Sequence, residues 1–129
     1  MIYFIIGGAG AAGALLRYAI GLLLPWEPDR FPAATLTANV IGCFLLAGLL
    51  TYLLDHPSVH PYWKSGLGTG FIGSFTTFST FSVETVRMAQ THHAGMAAVY
   101  VLVSIWAGLG AAGLGHVAAK RGRGDRVLS

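Results

Sequence analysis

Hydroxyl side chains alternate with phenyl rings in one apolar stretch of the chain, "GFIGSFTTFSTFSVET", residues 70–85. Each Ser or Thr hydroxyl brings a hydrogen-bond donor and an acceptor, and the lipid core of a bilayer offers such groups no partners. Polar groups at this density are tolerated at membrane depth when they are buried in protein or line an aqueous path. The segment therefore indicates chemistry directed at a polar or ionic partner rather than at lipid.

The same segment is either a continuous helix or a broken one. In a continuous helix the phenyl rings would share one stripe, which packing alone explains, and hydroxyls would bond back to their own helix. Those rings are Phe71, Phe75, Phe78 and Phe81. We favour a break, because Gly70 and Gly73 lower helix propensity just before the hydroxyls begin. A break frees backbone carbonyls, and rings of carbonyls coordinate cations.

Other polar residues lie in apolar surroundings along the chain. Asn39 follows Thr35 by one helical turn, and an embedded asparagine is either an interhelical hydrogen-bonding group or a functional donor; the sequence leaves both open. Tyr100, Ser104 and Gly108 recur every four residues. This weakly polar stripe, taken alone, is typical of helix packing.

Two charged residues fall inside apolar stretches. Arg17 lies about two turns before the end of the first stretch, and the simpler interpretation is that it snorkels to the interface. Glu84 precedes Arg87 by three residues, which favours an ion pair on one helix. The functional alternative for Glu84 is an acidic group in a water-filled vestibule.

These residues must be positioned by a small membrane domain. The chain has 129 residues, of which 54% are hydrophobic and 10% are charged, whereas soluble domains average about 25% charged residues. The formal charge of +3 comes largely from the tail "KRGRGDRVLS", so no basic soluble face exists for nucleic acid. Cys43, the single cysteine, excludes an intrachain disulfide and lacks partners for a zinc site.

Four stretches are long enough to cross a bilayer, which requires roughly 20 mostly apolar residues. They cover about residues 2–24, 32–54, 63–88 and 95–117, and a basic C-terminal tail follows at 118–129. The connections are short, so the sequence predicts one all-α domain without a soluble catalytic unit. We read the N-terminus as the start of a span and not as a cleaved signal peptide.

Topology and assembly follow from charge and small residues. An even number of spans puts both termini on one side, and the positive-inside rule favours the cytoplasm. That preference rests on the tail and reverses without it, so a chain with so weak a bias is expected to insert both ways round. The runs "GGAGAAGA" and "GLGAAGLG" allow close helix approach. We therefore expect an oligomer, and a dimer in particular.

The 70–85 segment resembles the signature of the small bacterial fluoride channels, the Fluc or CrcB family. "GALLRY" around Arg17 resembles the family's first-span arginine motif, and "TLTANVIGCFLLAG" resembles its second-span pattern around Asn39. The resemblance implies an antiparallel, dual-topology homodimer of four-helix subunits with two parallel pores. It also implies a multi-pass protein of the plasma membrane, the inner membrane of the cell, that exports fluoride passively and is not an enzyme.

The resemblance assigns roles residue by residue. Phe78 and Phe81 look like the pore phenylalanines and Asn39 like the pore amide. Carbonyls of Gly73 and Thr76 from both subunits look like the ligands of a buried structural sodium ion. The remaining matches are Thr80, Tyr100 and Ser104 in a polar track, Glu84 in the vestibule, and Arg17 as a structural charge. Two departures are Gly108, where some members have serine, and Ser74, where glycine is common.

Two other classes of protein have the same size. A small multidrug transporter would share four spans and dual topology, but it needs a carboxylate in its first span, where this chain has Arg17. A non-transport assembly subunit would explain the small-residue faces but not the row of hydroxyls. A comparison of fluoride and chloride flux separates the three.

Overall fold

The computed structural model describes residues 1–27 and 29–127. Every regular element in this part of the chain is a helix, as the composition predicts. In order they are α1 (Ile2–Leu23), α2 (Ala33–Asp55), α3 (Pro61–Ser65), a π-helix (Gly66–Ile72), α4 (Gly73–Phe75), α5 (Phe78–Gln90) and α6 (Ala94–Val127). The π-helix continues α3 and runs into α4, so residues 61–75 form one irregular rod that ends before α5 begins.

Three of these helices are long and apolar enough to cross a membrane: α1, α2 and α6. The stretch expected as the third span is divided instead, because the backbone leaves helical geometry at Thr76 and Thr77. Thr76 has ψ 158° and Thr77 has φ −150° and ψ 124°, both extended. The prediction of a broken helix is confirmed, and the break, Thr76–Thr77, lies within the row of hydroxyls.

The two glycines expected to cause the break lie before it, and one of them, Gly70, packs against α1. Gly70 and Gly73 both lie in helical segments, so the break falls after them. A Cβ on Gly70 would lie 2.7 Å from Ile6 O, and one on Gly13 would overlap Phe71 O. Gly13 and Gly70 therefore bring α1 and the irregular rod together at backbone distance.

The α2–α6 pair forms the other half of the molecule and has the most extensive helix contact. Small residues set its spacing, because a Cβ on Gly115 would overlap Phe44 O, and one on Gly48 would lie 3.3 Å from Gly115 O. Near the far end of α5, Met88, Ala97 and Tyr100 form a fully enclosed apolar cluster. The break is thus held between α1 on one side and the α2–α6 pair on the other.

The backbone of the basic tail continues helix α6 as far as the structure describes it. The backbone of α6 stays helical to Val127, well past the expected end of the fourth span near residue 117. Side chains from residue 123 onward lie outside the description, and so do residues 128 and 129 altogether. The predicted orientation rests on four positive tail residues, and the side chains of two of them, Arg123 and Arg126, are not described.

Candidate functional site

The break is fixed by the side chain of Asn39 on α2. Asn39 Nδ2 donates to Thr77 O over 2.9 Å, and Thr77 N donates to Asn39 Oδ1 over 2.8 Å. This pair supports the interpretation of Asn39 as an interhelical hydrogen-bonding group. A carboxamide has two N–H donors, so one Nδ2 hydrogen is left over for a second partner.

Thr77 also begins α5. Its Oγ1 accepts from Thr80 N over 3.2 Å, as an N-cap side chain does. The same hydroxyl donates to Thr80 Oγ1 over 3.0 Å. Because Thr80 Oγ1 accepts here, its own hydrogen remains available to another acceptor. The cap therefore orders the hydroxyl of Thr80, one of the residues expected in the polar track.

The break leaves two backbone carbonyls without their helical donors. In a continuous helix Gly73 O would accept from the Thr77 amide, but that amide donates to Asn39 Oδ1. The Thr80 amide, which would reach Thr76 O, donates to Thr77 Oγ1. Carbonyl oxygens freed in this way suit a hard cation that prefers oxygen ligands. The chemistry of the donor set fits the sodium ion expected at Gly73 and Thr76.

Arg17 caps a third carbonyl at the same place. Its Nε donates to Ser74 O over 3.1 Å, and the side chain is half-buried. The end of a helix leaves carbonyls that need donors, and Arg17 supplies one of them from α1. The expectation that Arg17 snorkels to the interface stays a prediction. Arg17 thus brings a positive charge beside the break.

Thr76 is seated by a glycine on α2. Thr76 Oγ1 donates to Ile72 O over 3.0 Å, which holds the side chain against the irregular rod. A Cβ on Gly42 would overlap the Thr76 Cγ2 methyl. The absence of a side chain at residue 42 therefore makes room for the break.

A cavity of about 360 Å³ opens on the α2–α6 side of the break. We call it the phenyl cavity. Six of the residues that line it carry the argument below: Asn39, Cys43, Thr77, Phe78, Phe81 and Ser104. Its walls combine rings with neutral polar groups. Ser104 Oγ is buried and, within the described part of the chain, has no hydrogen-bond partner, so its hydrogen is free for a bound species.

The two phenylalanines expected in the pore both face this cavity. Their ring centroids are 5.9 Å apart and their planes are tilted by 35°. Phe81 packs on Tyr100 with centroids 5.0 Å apart, whereas Phe78 is 80% exposed in the single chain. A large ring left this exposed needs a further surface, either lipid or protein.

A second cavity, of about 380 Å³, lies on the α1 side of the break. We call it the arginine cavity. Its polar walls come from Arg17, Thr35, Thr77, Thr80 and Glu84. Thr77 lines both cavities, so the two spaces adjoin at the break. Together they bring a positive charge, several hydroxyls and a carboxyl group to one region.

Glu84 is buried, with 6% of its surface exposed. Thr35 Oγ1 donates to Glu84 Oε1 over 2.8 Å, and Tyr100 OH donates to Oε2 over 2.9 Å. The expected ion pair with Arg87 does not occur among the described residues, because both carboxyl oxygens turn inward to these donors. Tyr100, expected in the polar track, directs its hydrogen to Glu84.

Sequence reasoning missed two participants. Thr77 was treated as one hydroxyl among many, although it caps α5, binds Asn39 and lines both cavities. Thr35 was noted only as a neighbour of Asn39, and its bond to Glu84 joins α2 to α5. The signal for Thr77 was present in the sequence, because a Thr at the start of an apolar helical pattern is a typical N-cap.

The fold and these cavities define a small helical membrane protein whose interrupted span places neutral donors at membrane depth. Residues 4–116 match the family described as "CrcB-like protein, Camphor Resistance (CrcB)". The chain belongs to this family and is a multi-pass membrane protein.

Curated relatives agree over most of the chain. It is 49% identical over 118 residues to "Fluoride-specific ion channel FluC 1" of Bacillus cereus, which covers 90% of this chain and 85% of the relative. It is 41% identical over 128 residues to "Fluoride-specific ion channel FluC 2" of Geobacillus kaustophilus, covering 98% and 99%. A FluC 2 of Listeria innocua is 44% identical over 109 residues, covering 84% and 83%.

Proposed function

We propose that the chain is a fluoride-selective ion channel that lets cytoplasmic fluoride leave the cell passively and so confers fluoride resistance. Membership of the CrcB family and the names of the curated relatives support the ion. The observation that carries the proposal is the break itself, where two donor-lined cavities adjoin at Thr77. An ion channel is not an enzyme, and no reaction is proposed for these residues.

The chemistry of the cavities suits a small anion. Fluoride is strongly hydrated, so a path must replace its water with other donors. Three neutral donors have no acceptor among the described residues. They are Ser104 Oγ, the Thr80 hydroxyl and the second Nδ2 hydrogen of Asn39. Neutral donors bind the ion strongly enough for entry and weakly enough for release.

The rings add a second kind of contact. A phenyl ring carries positive charge at its edge, so Phe78 and Phe81 offer the anion C–H edges in the phenyl cavity. We infer that selectivity for fluoride comes from the neutral donors and the ring edges acting together.

Glu84 and Tyr100 contribute to the proposed anion path indirectly, by joining helices. Their hydrogen bond joins α5 to α6, and Thr35 joins the same carboxyl group to α2. Glu84 closes one side of the arginine cavity, and Arg17 lies at the same cavity with the opposite charge. We propose that this pair of charges sets the potential of the vestibule through which the anion enters.

A structural sodium ion belongs to the proposal. The carbonyls of Gly73 and Thr76 would hold it, because their helical donors are engaged elsewhere. When bound, it supplies positive potential beside the anion path. Thr76→Ser keeps the backbone and the Oγ1 bond to Ile72, so the ion should remain. A well-resolved structure of the assembled protein without density beside these carbonyls would refute the site.

We further propose an antiparallel homodimer inserted in both orientations. Its support is the 80% exposure of Phe78 beside the phenyl cavity and the weak charge bias of the sequence. A second subunit would cover Phe78 and complete the walls of that cavity. Single cysteines placed at the termini in a Cys43→Ser background should react with impermeant reagents from both sides of the membrane. Labelling from one side only would contradict dual topology.

The cellular role follows from acid–base chemistry. Neutral hydrogen fluoride crosses membranes in acidic surroundings and dissociates in the cytoplasm, where fluoride is trapped. A passive channel releases it under the negative-inside potential.

The test is efflux from vesicles containing the purified protein, loaded with either fluoride or chloride and made permeable to potassium. Fluoride should leave and chloride should stay. Equal release of both ions, or of neither, would contradict the proposal; release of neither is also the result expected of a small multidrug transporter or an assembly subunit.

A further inference from the structure

The polar row on α6 has a gap. Tyr100, Ser104 and Gly108 follow one another at four-residue spacing and share one helix face. Ser104 presents a buried, unpartnered Oγ at the phenyl cavity. Gly108 presents no side chain at the next turn. The row of donors on α6 therefore ends at Ser104, one turn before Gly108.

A side chain from α2 lies at that gap. The Sγ atom of Cys43 is 3.5 Å from the position that a Cβ on Gly108 would take, and among the described residues it is the one atom within 4 Å of that position that does not belong to the adjoining turns of α6. Cys43 follows Asn39 by four residues, so both share a face of α2. Both also line the phenyl cavity together with Ser104. The thiol is half-buried, in contact with the cavity and with the gap.

We propose that Cys43 is a specificity-determining residue of the anion path, whose S–H group donates a hydrogen bond at the level of Gly108 in place of a side chain on α6. The inference rests on the proposed fluoride channel. Its first support is position, because the thiol continues the line of donors from Asn39 along α2 and from Ser104 along α6.

The chemistry of a thiol makes the donor at this position weaker than a hydroxyl. A protonated thiol is a neutral but weak donor, and sulfur is larger and more polarisable than a hydroxyl oxygen. Its weaker hold on a small, hard anion would favour release over binding at this end of the cavity. Within the described residues Sγ makes no side-chain hydrogen bond that would engage its hydrogen. The donor is therefore available to an ion in the cavity.

Three variants test the inference by fluoride efflux per folded dimer. Cys43→Ala removes the donor, and since an ordinary hydrogen bond is worth on the order of a tenfold change in an equilibrium and a thiol is a weaker donor, efflux should fall severalfold but by less than about tenfold. Cys43→Ser keeps a donor at the position and should retain efflux. Cys43→Ala combined with Gly108→Ser returns a donor from α6, for which the structure has room at ordinary contact distance, and should recover most of the lost rate.

The outcomes separate the inference from the function on which it rests. Wild-type protein that releases no fluoride would contradict the channel itself. If the wild-type chain conducts and Cys43→Ala conducts equally well, the donor role of Cys43 is overturned. A slow Cys43→Ala that the added Gly108→Ser fails to restore, although the double variant elutes as one species, also overturns it. That result would leave Cys43 as a packing residue.

Discussion

Asn39 and Thr77 exchange two hydrogen bonds, one in each direction, between a side chain on α2 and the backbone of the break. The Thr77 amide cannot donate to Gly73 O while it donates to Asn39. One carboxamide therefore helps to open the helix, orders the residue that caps α5 and stands at the wall of the phenyl cavity. This contact therefore links the opening of the helix to one wall of the cavity.

Asn39→Asp tests the contact with almost no change in shape. A carboxylate accepts but does not donate when ionised, so it would face Thr77 O as one acceptor against another. We expect a loss of about 1–3 kcal/mol in the free energy of unfolding and a strong loss of fluoride efflux. Unfolding in detergent micelles titrated with dodecyl sulfate measures the first and vesicle efflux the second. Wild-type stability together with wild-type efflux would show that the two hydrogen bonds between Asn39 and Thr77 are dispensable.

Gly42→Ala should disturb the break by crowding Thr76. The new methyl would overlap Thr76 Cγ2, and overpacking of this kind costs about 1–3 kcal/mol. Adding Thr76→Ser removes Cγ2 while keeping the hydroxyl bonded to Ile72 O, so the double variant should regain most of the stability. Gly113→Ala is the matched control, because nothing lies within 4 Å of its Cβ position. Equal stabilities of Gly42→Ala and Gly113→Ala would contradict the steric account.

The sequence predicted the class of fold because hydropathy and length report directly on helices in lipid. It also predicted a break, since hydroxyls around a whole helix have no partners in lipid. It placed the cause wrongly at Gly70 and Gly73, because the partner that opens the helix, Asn39, lies 38 residues from Thr77. Tertiary hydrogen bonds of that range leave no local pattern.

The residues of the candidate site could likewise be predicted from the sequence, but not all of their partners. Asn39, Phe78, Phe81 and Ser104 were expected together, and they line one cavity. The predicted ion pair between Glu84 and Arg87 was wrong, because it relied on a neighbour along the sequence. The actual partners belong to other helices and became visible only after folding.

Thr35→Val should destabilise the protein by leaving Glu84 Oε1 without its donor. The two side chains have the same shape, so the loss comes from one buried hydrogen bond to a carboxyl group, about 1–3 kcal/mol. Thr85→Val is the control, since the Thr85 hydroxyl bonds only to Phe81 O on its own helix. Equal unfolding free energies for the two variants would show that the Thr35–Glu84 bond contributes little.

Arg17→Met should destabilise the protein at the C-terminal end of the irregular rod. The variant keeps a long side chain but leaves Ser74 O without the Nε donor, and a buried carbonyl without a partner costs about 1–3 kcal/mol. Arg87→Met is the control, because Arg87 is exposed. Dodecyl sulfate titration should separate the two variants clearly. If Arg17→Met unfolds at the same concentration as Arg87→Met, the capping role of Arg17 is wrong.

The most direct test of the path is fluoride efflux, per unit of folded protein, from vesicles containing Phe78→Ile or Phe81→Ile. Each change removes a ring edge from the phenyl cavity and keeps an apolar side chain. Phe71→Ile makes the same change in the irregular rod, where the ring stacks on Phe75 at 6.2 Å, and serves as the control. We expect efflux to collapse in the first two variants and to persist in the third, and we expect each of the three proteins to elute as a single species. Wild-type efflux in both Phe78→Ile and Phe81→Ile would contradict an anion path along these rings.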